Sequence, residues 1–492
     1  MKKDKLLLLV LFLVTISLRL INLGYSDYIQ DEVTAFLYKD GQNLTHLTPH
    51  EYLLNQHKGP LQILVTAIPY NIVGSYDNEL AERIPFALFS IASVFTFYYM
   101  VLRLSKNANI AFFSAFLFSI NGLVVGYGRI AQYQSLVFFF GFSSIYYFAG
   151  LLEDNITKKS VAINTLLGTF FFSLGFYAHW FVGFMLFPIL YILTNFLKKT
   201  NFSTIFKVGV GLANLALLAA ILLPFFVPYF TRLIGNPQNV SYAEHTFGLG
   251  KSFFVRKDIK QFLLYNPFLT LPLYLSFGVF GVYLSRKFKI FSIWFLSTLL
   301  IFRVFINYSG LHFYHIFIPL IILVAYTYNY LIFHKDSRVK KYSRIFLVLS
   351  FSFLYLQSYL IYVDHKKEYP MEQERILFFK TPEITHEDRL RSKTGFPHKR
   401  YWKEINDFVN TQNVERGEIY GYYTNEDKGI ARIYMDTEVV TGGSFYGVGI
   451  KRPYSLAKDY KFPQYKNKST IHKIRNEYGD TVVNIYWVGE QN

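Results

Sequence analysis

The residues best suited to chemistry fall in four short segments. The first is Tyr25-Ser-Asp-Tyr-Ile-Gln-Asp-Glu-Val-Thr-Ala-Phe-Leu-Tyr, in which Asp27, Asp31 and Glu32 follow directly on a long apolar run. A carboxylate held there can take a proton from an incoming hydroxyl. The competing reading is that Asp31 and Glu32 merely open a helix, where the dipole favours acids. The second segment, His57-Lys58-Gly59-Pro60, sets a cation on a rigid turn suited to a lipid phosphate. The third is Gly126-Tyr-Gly-Arg-Ile-Ala-Gln-Tyr-Gln-Ser, and the fourth runs from Arg303 through His312, Tyr314 and His315 to Pro319. Both gather cationic or hydrogen-bonding side chains. Taken singly, Arg129 and Arg303 read equally well as flanking residues that reach for the interface. His312 and His315, at i and i+3, have the types of a metal pair, but no acid nearby completes the set and no metal site is assigned.

Composition says what must position these segments. The 492 residues are 52% hydrophobic and 20% aromatic, with 50 Lys+Arg, 33 Asp+Glu, a net charge of +17 and no cysteine. A disulfide framework and a thiolate metal centre are therefore excluded, and so is a disordered chain. Residues 364–492 hold 21 Lys+Arg and 19 Asp+Glu, as a soluble domain does, whereas residues 1–363 hold 29 and 14 in clusters between apolar runs. That pattern is a polytopic α-helical membrane protein. Eleven spans are expected, at about 6–23, 83–104, 109–127, 133–152, 161–178, 180–197, 205–230, 266–285, 290–306, 311–333 and 345–363.

Residues 61–74 are short, contain Pro69, and read as interfacial. With that reading 18 basic residues, from Lys2/Lys3/Lys5 to Lys335/Arg338/Lys340/Lys341/Arg344, share one side; counting a further span would move 15 of them across. The expectation is a retained N-terminal anchor with its start in the cytoplasm, a first outer loop at about 24–82, and a C-terminal domain outside the plasma (inner) membrane. The positive charge then orients the chain and is no nucleic-acid signature. Arg19 is expected to snorkel from the first span. Val33, Phe36 and Leu37 suggest a short amphipathic helix along the membrane. The last domain reads as α/β, with a helix over 402–411, strands at 417–423 and 482–488, and an irregular entry at 369–400. Trp402 and Trp487 read as core aromatics, with sugar stacking the alternative.

With Ala81-Glu-Arg-Ile-Pro-Phe-Ala-Leu-Phe-Ser opening the second span, the order of motifs resembles the membrane glycosyltransferases of the GT-C fold. The likeness is to the protein O-mannosyltransferase and lipid A aminoarabinose transferase superfamily, in motifs over residues 1–150 and in hydropathy and topology through 363. It implies an inverting transferase that moves a sugar from a polyprenyl-phosphate carrier to a hydroxyl on a glycolipid, glycan or protein at the outer face. Asp31 would be the catalytic carboxylate and Glu32 its family neighbour. Lys58, beside His57, would bind the carrier phosphate. Arg83 and Arg129 fall where the family often has arginine, and Arg303, His312 and Tyr314 join the same carrier-binding set. The phosphate leaves without a protonating acid, so one carboxylate plus cations suffices, unlike the paired carboxylates of a glycosidase. No cofactor is required by this scheme, and a divalent ion is left open. The implied partners are membrane lipid, the lipid-linked donor and the acceptor. A transporter or flippase of lipid-linked sugars is the rival reading, but no internal repeat is found and the polar clusters sit at one face rather than mid-membrane. A non-catalytic envelope-assembly protein is the third; consumption of a polyprenyl-phosphate sugar by purified protein separates it from the first.

Overall fold

The computed structural model describes residues 2–37, 48–56, 59–234, 262–268, 270–287, 289–306, 312–365, 369, 375–376, 379–380, 395–440, 442–451 and 469–489. His57 and Lys58 lie outside them. Long apolar runs fold as helices because only internal hydrogen bonds satisfy a backbone in lipid. Among the described residues seven helices are long and apolar enough to cross a membrane: Glu79–Ser105, Gln134–Leu152, Lys158–Ala178, Trp180–Lys199, Thr204–Arg232, Tyr314–Ile332 and Ser337–Tyr362. Shorter helices lie over the other expected spans, at Lys2–Leu20, Ala108–Ile120, Thr270–Leu284 and Lys289–Val304. Ile205, Leu212 and Leu215 are left 86%, 61% and 62% exposed on one face of their helix, a surface that suits lipid and not water.

The elements that matter for the site are α1 (Lys2–Leu20), α2 (Gln30–Val33), α3 (Pro49–Leu54), α4 (Pro60–Val73), α5 (Glu79–Ser105), α6 (Ala108–Ile120), α7 (Gly122–Tyr127) and α8 (Gln134–Ala149). α5 packs along α6 and α8, and α1 packs on α6. Arg19 does not snorkel. It is fully buried, donating from Nε to Ser90 Oγ (3.0 Å) and from Nη1 to Ser119 O (3.0 Å), because α5 and α6 offer acceptors nearer than the interface. The expected span at 109–127 is broken at Asn121, whose ψ of 124° ends α6 and whose side chain accepts from Leu123 N to start α7. Gly122, just after the break, lets the Tyr265 backbone approach closely, since a Cβ there would meet Tyr265 O at 1.9 Å.

Beyond α9 (Lys158–Ala178) come α10 (Leu186–Lys199), α11 (Thr204–Ile234), α12 (Thr270–Leu284), α13 (Lys289–Val304), α14 (Tyr314–Ile332) and α15 (Ser337–Tyr362). The C-terminal part holds a strand pair, β1 (Arg375–Ile376) with β2 (Phe379–Lys380), then α16 (Trp402–Arg416), β3 (Tyr422–Thr424), α17 (Lys428–Tyr434), β4 (Phe445–Ile450), β5 (Thr470–Arg475) and β6 (Thr481–Val488). The sheet order is β3-β4-β6-β5, with β3 parallel to β4 and the other pairs antiparallel. β3 starts at Tyr422 rather than at 417 because Gly417, at φ +71°, caps α16 in the left-handed conformation.

Trp402, Val409, Tyr446, Val448, Ile485 and Trp487 form the domain's core, so both tryptophans are core residues. That core continues into the first loop through Tyr28, Val33, Phe36 and Tyr76. The amphipathic stretch expected along the membrane is therefore only four residues of helix, and Phe36, fully buried, faces protein. Its ring meets Tyr28 edge-on at 4.9 Å and stacks on Tyr76 at 4.4 Å. Burying such a side chain contributes about 1.5–3 kcal/mol.

Candidate active site

Two of the four motif segments, the first and the third, are joined through one side chain. Glu32 is fully buried and accepts four hydrogen bonds. Arg83 grips it with Nε to Oε1 and Nη2 to Oε2, both at 2.8 Å; Ile29 N donates to Oε2 (3.1 Å) and Ala131 N to Oε1 (2.9 Å). Gln62, on α4 just after the His57-Lys58-Gly59-Pro60 turn, donates to Ala131 O at 3.1 Å. The loop-one acid, the α5 arginine, the Gly128-Arg129-Ile130-Ala131 turn and the start of α4 thus meet at one point. Arg83 also donates to Leu23 O (3.2 Å), Ser26 O (2.8 Å) and Asp27 O (3.1 Å). Arg83 is thus turned towards loop one, whose carbonyls and Glu32 it holds. Arg129 donates from Nη1 and Nη2 to Leu18 O (3.1 Å) and Asn22 O (3.0 Å), fixing the end of α1. Both arginines are buried at the junction of loop one and the helices, where unpaired carbonyls ending α1 need donors.

Asp31, next to this hub, is half-buried. Tyr127 contacts Tyr265 (6.1 Å between rings) and Tyr314 (5.9 Å). From there a stack of rings leads on. Tyr133 lies on His179 at 4.2 Å, His179 on His312 at 4.9 Å, and His312 on Phe181 at 3.8 Å, while Tyr133 Oη and His312 Nε2 are 3.4 Å apart. His312 and Tyr314 are thus drawn towards the third segment, whereas Arg303 sits half-buried in the last turn of α13. Tyr314 Oη finds no partner among the described residues. Sequence reasoning did not single out His179 or Tyr265. His179 had a signal: it ends α9 in extended conformation and accepts from Phe181 N (3.2 Å) at Nδ1, a polar stop inside an apolar run. Among the described residues no group of three metal-binding side chains gathers.

The C-terminal domain clamps the loop that carries Asp31. Asp27 accepts from Arg400 N, Asp27 N donates to His398 O (3.1 Å), Tyr28 N donates to Tyr434 Oη (3.0 Å), and Arg400 pairs with Glu426 at 3.3 Å, both side chains buried. Burial pushes the Asp27 carboxyl up from 3.8 to about 6, against the pull of Arg400. A raised acid binds its proton more tightly when folded. Its contribution is present in full below about pH 4 and lost as pH rises through 6. Thermal unfolding in detergent between pH 4 and 7.5 should therefore show Asp27→Asn removing a loss of stability that the wild type suffers across that window. Identical pH profiles would refute it.

Residues 7–236 match the family described as dolichyl-phosphate-mannose-protein mannosyltransferase. That range holds Asp31, Glu32, Arg83, Arg129 and Ala131. A search of curated proteins finds no match. Among solved structures, the chain is similar to ArnT from Cupriavidus metallidurans bound to undecaprenyl phosphate, at 11% identity and a TM-score of 0.54, over 98% of this chain and 97% of that one. It is also similar to the apo oligosaccharyltransferase from Archaeoglobus fulgidus, at 13% identity and a TM-score of 0.51, over 99% of this chain and 74% of that one. The fold of membrane helices with a small C-terminal sheet domain is thus the GT-C fold. The chain has the GT-C fold, and its first half is similar to the dolichyl-phosphate-mannose-protein mannosyltransferases.

Proposed function

We propose that the protein is an inverting glycosyltransferase that moves a sugar from a polyprenyl-phosphate carrier to a hydroxyl of a glycolipid, glycan or protein, at the outer face of the plasma membrane. The observation that carries this reading is the buried Glu32 hub, next to Asp31, that joins loop one to Arg83 and to the Gly128-Arg129-Ile130-Ala131 turn. Asp31 accepts the proton of the acceptor hydroxyl, the oxygen attacks the anomeric carbon, and the carrier phosphate departs with the electron pair of the broken bond. Lys58 and Arg303 supply positive charge to the phosphate oxygens, so the scheme needs no divalent ion. Glu32 and Arg83 are positioning residues, and His312, His179 and Tyr314 line the approach. The undecaprenyl phosphate bound to the similar ArnT structure supports a polyprenyl carrier, and the 18 basic residues on one side support the orientation.

The test is to offer purified protein a set of polyprenyl-phosphate sugars and determine the anomeric configuration of the product by NMR. Consumption of a donor with inversion is the expected result. Retention of configuration would overturn the single-displacement chemistry, and consumption of none would overturn the donor class.

A further inference from the structure

α2 turns one face, Gln30, Val33 and Thr34 at i, i+3 and i+4, towards a cavity of about 170 Å³. The other walls are Tyr52 and Gln56 from α3 and the residues after it, and Gly429 and Arg432 from α17. At roughly 30 Å³ per water this is space for one pyranose ring. Asp31 belongs to the same turn of α2 as Gln30 and Thr34 but does not line the cavity, so the cavity suits a part of the acceptor next to the reacting hydroxyl rather than that hydroxyl itself. Among the described residues no carboxylate lines the cavity: its polar walls are two side-chain amides, two hydroxyls and one guanidinium. Arg432 is exposed and makes no ion pair among the described residues. The C-terminal domain is registered against α2 here, because the Gln30 amide donates to Asp427 at the start of α17 (3.0 Å). A larger cavity of about 740 Å³ also touches α17, but three carboxylates, Asp77, Asp407 and Asp436, line it against one cation, Lys403, and would disfavour an anion. The side chains beside Asp31 therefore suit a small polyhydroxylated ligand that also bears a negative charge, which a guanidinium can grip through two bonds.

We propose that this cavity is the acceptor subsite and that Arg432, reaching over from the C-terminal domain, selects acceptor sugars carrying a phosphate or carboxylate. The proposal rests on the reading of Asp31 as the base. Its test is a binding measurement, so it can fail while donor consumption stands, or hold while that fails. Full-length protein in detergent is titrated calorimetrically with glucose 6-phosphate, glucuronate and glucose. The wild type is expected to bind at least one of the anionic probes about tenfold more tightly than glucose, in line with one charge-assisted contact. Tightening by only one anion supports the proposal and identifies the group. Arg432→Gln should erase the preference, Arg432→Lys should keep part of it, and Lys58→Ala, which removes the proposed carrier-phosphate contact, should leave it intact. No preference in the wild type, a preference unchanged in Arg432→Gln, or one lost in Lys58→Ala instead would each overturn the proposal.

Discussion

Replacing Asp31 by asparagine is expected to lower sugar transfer by about 10²–10⁴-fold, the usual contribution of a positioned general base, while the protein stays folded and inserted. Asparagine keeps the shape of the side chain and removes its capacity to accept a proton. The backbone arrangement survives, because Thr34 Oγ1 donates to the main-chain oxygen of residue 31 (3.0 Å) and not to the carboxylate. Glu32 is poorly placed to substitute, since its two oxygens already accept four protein donors. The measurement is turnover of a polyprenyl-phosphate sugar set beside the thermal unfolding midpoint. Full activity of Asp31→Asn would sink the assignment. Loss of activity together with a collapsed midpoint would return Asp31 to a structural role.

The difference between these two adjacent acids shows where sequence reading stops. Asp31 and Glu32 have the same chemistry, the same distance from the first apolar run and the same place in the first turn of α2. What separates them is orientation by a third party: Glu32 meets Arg83, 51 positions later, and Ala131, 99 later. The hydropathy pattern revealed the helices and even the odd status of residues 61–74, because burial in lipid acts on each segment separately. It was silent on Arg19, Arg83 and Arg129, whose partners are backbone carbonyls and buried side chains on other helices, and a carbonyl carries no sequence signature. The amphipathic pattern of Val33 and Phe36 was real, but periodicity alone does not say whether an apolar face meets lipid or a protein core.

The second large effect concerns that buried pair. Arg83→Ala is expected to destabilise the protein by about 3–5 kcal/mol, because it leaves Glu32 ionised, buried and without its counter-charge. The side chains of the pair are 1% and 0% exposed, so water cannot replace the lost partner. Glu32→Gln should cost less in stability, since the amide oxygen still accepts from the backbone, although Arg83 then faces an uncharged partner. The informative variant removes both. With Glu32→Leu and Arg83→Leu together, no charge is stranded, and apolar pairs of this kind often restore stability. Activity should not return with it: Ile29 N and Ala131 N lose their common acceptor, and with it goes the carboxylate link between α2 and the Gly128–Ala131 turn. Recovery of the unfolding midpoint without recovery of kcat/KM would establish the pair as the device that aims Asp31. A double variant as active as the wild type would show instead that packing alone positions the loop, and that the ion pair serves stability only.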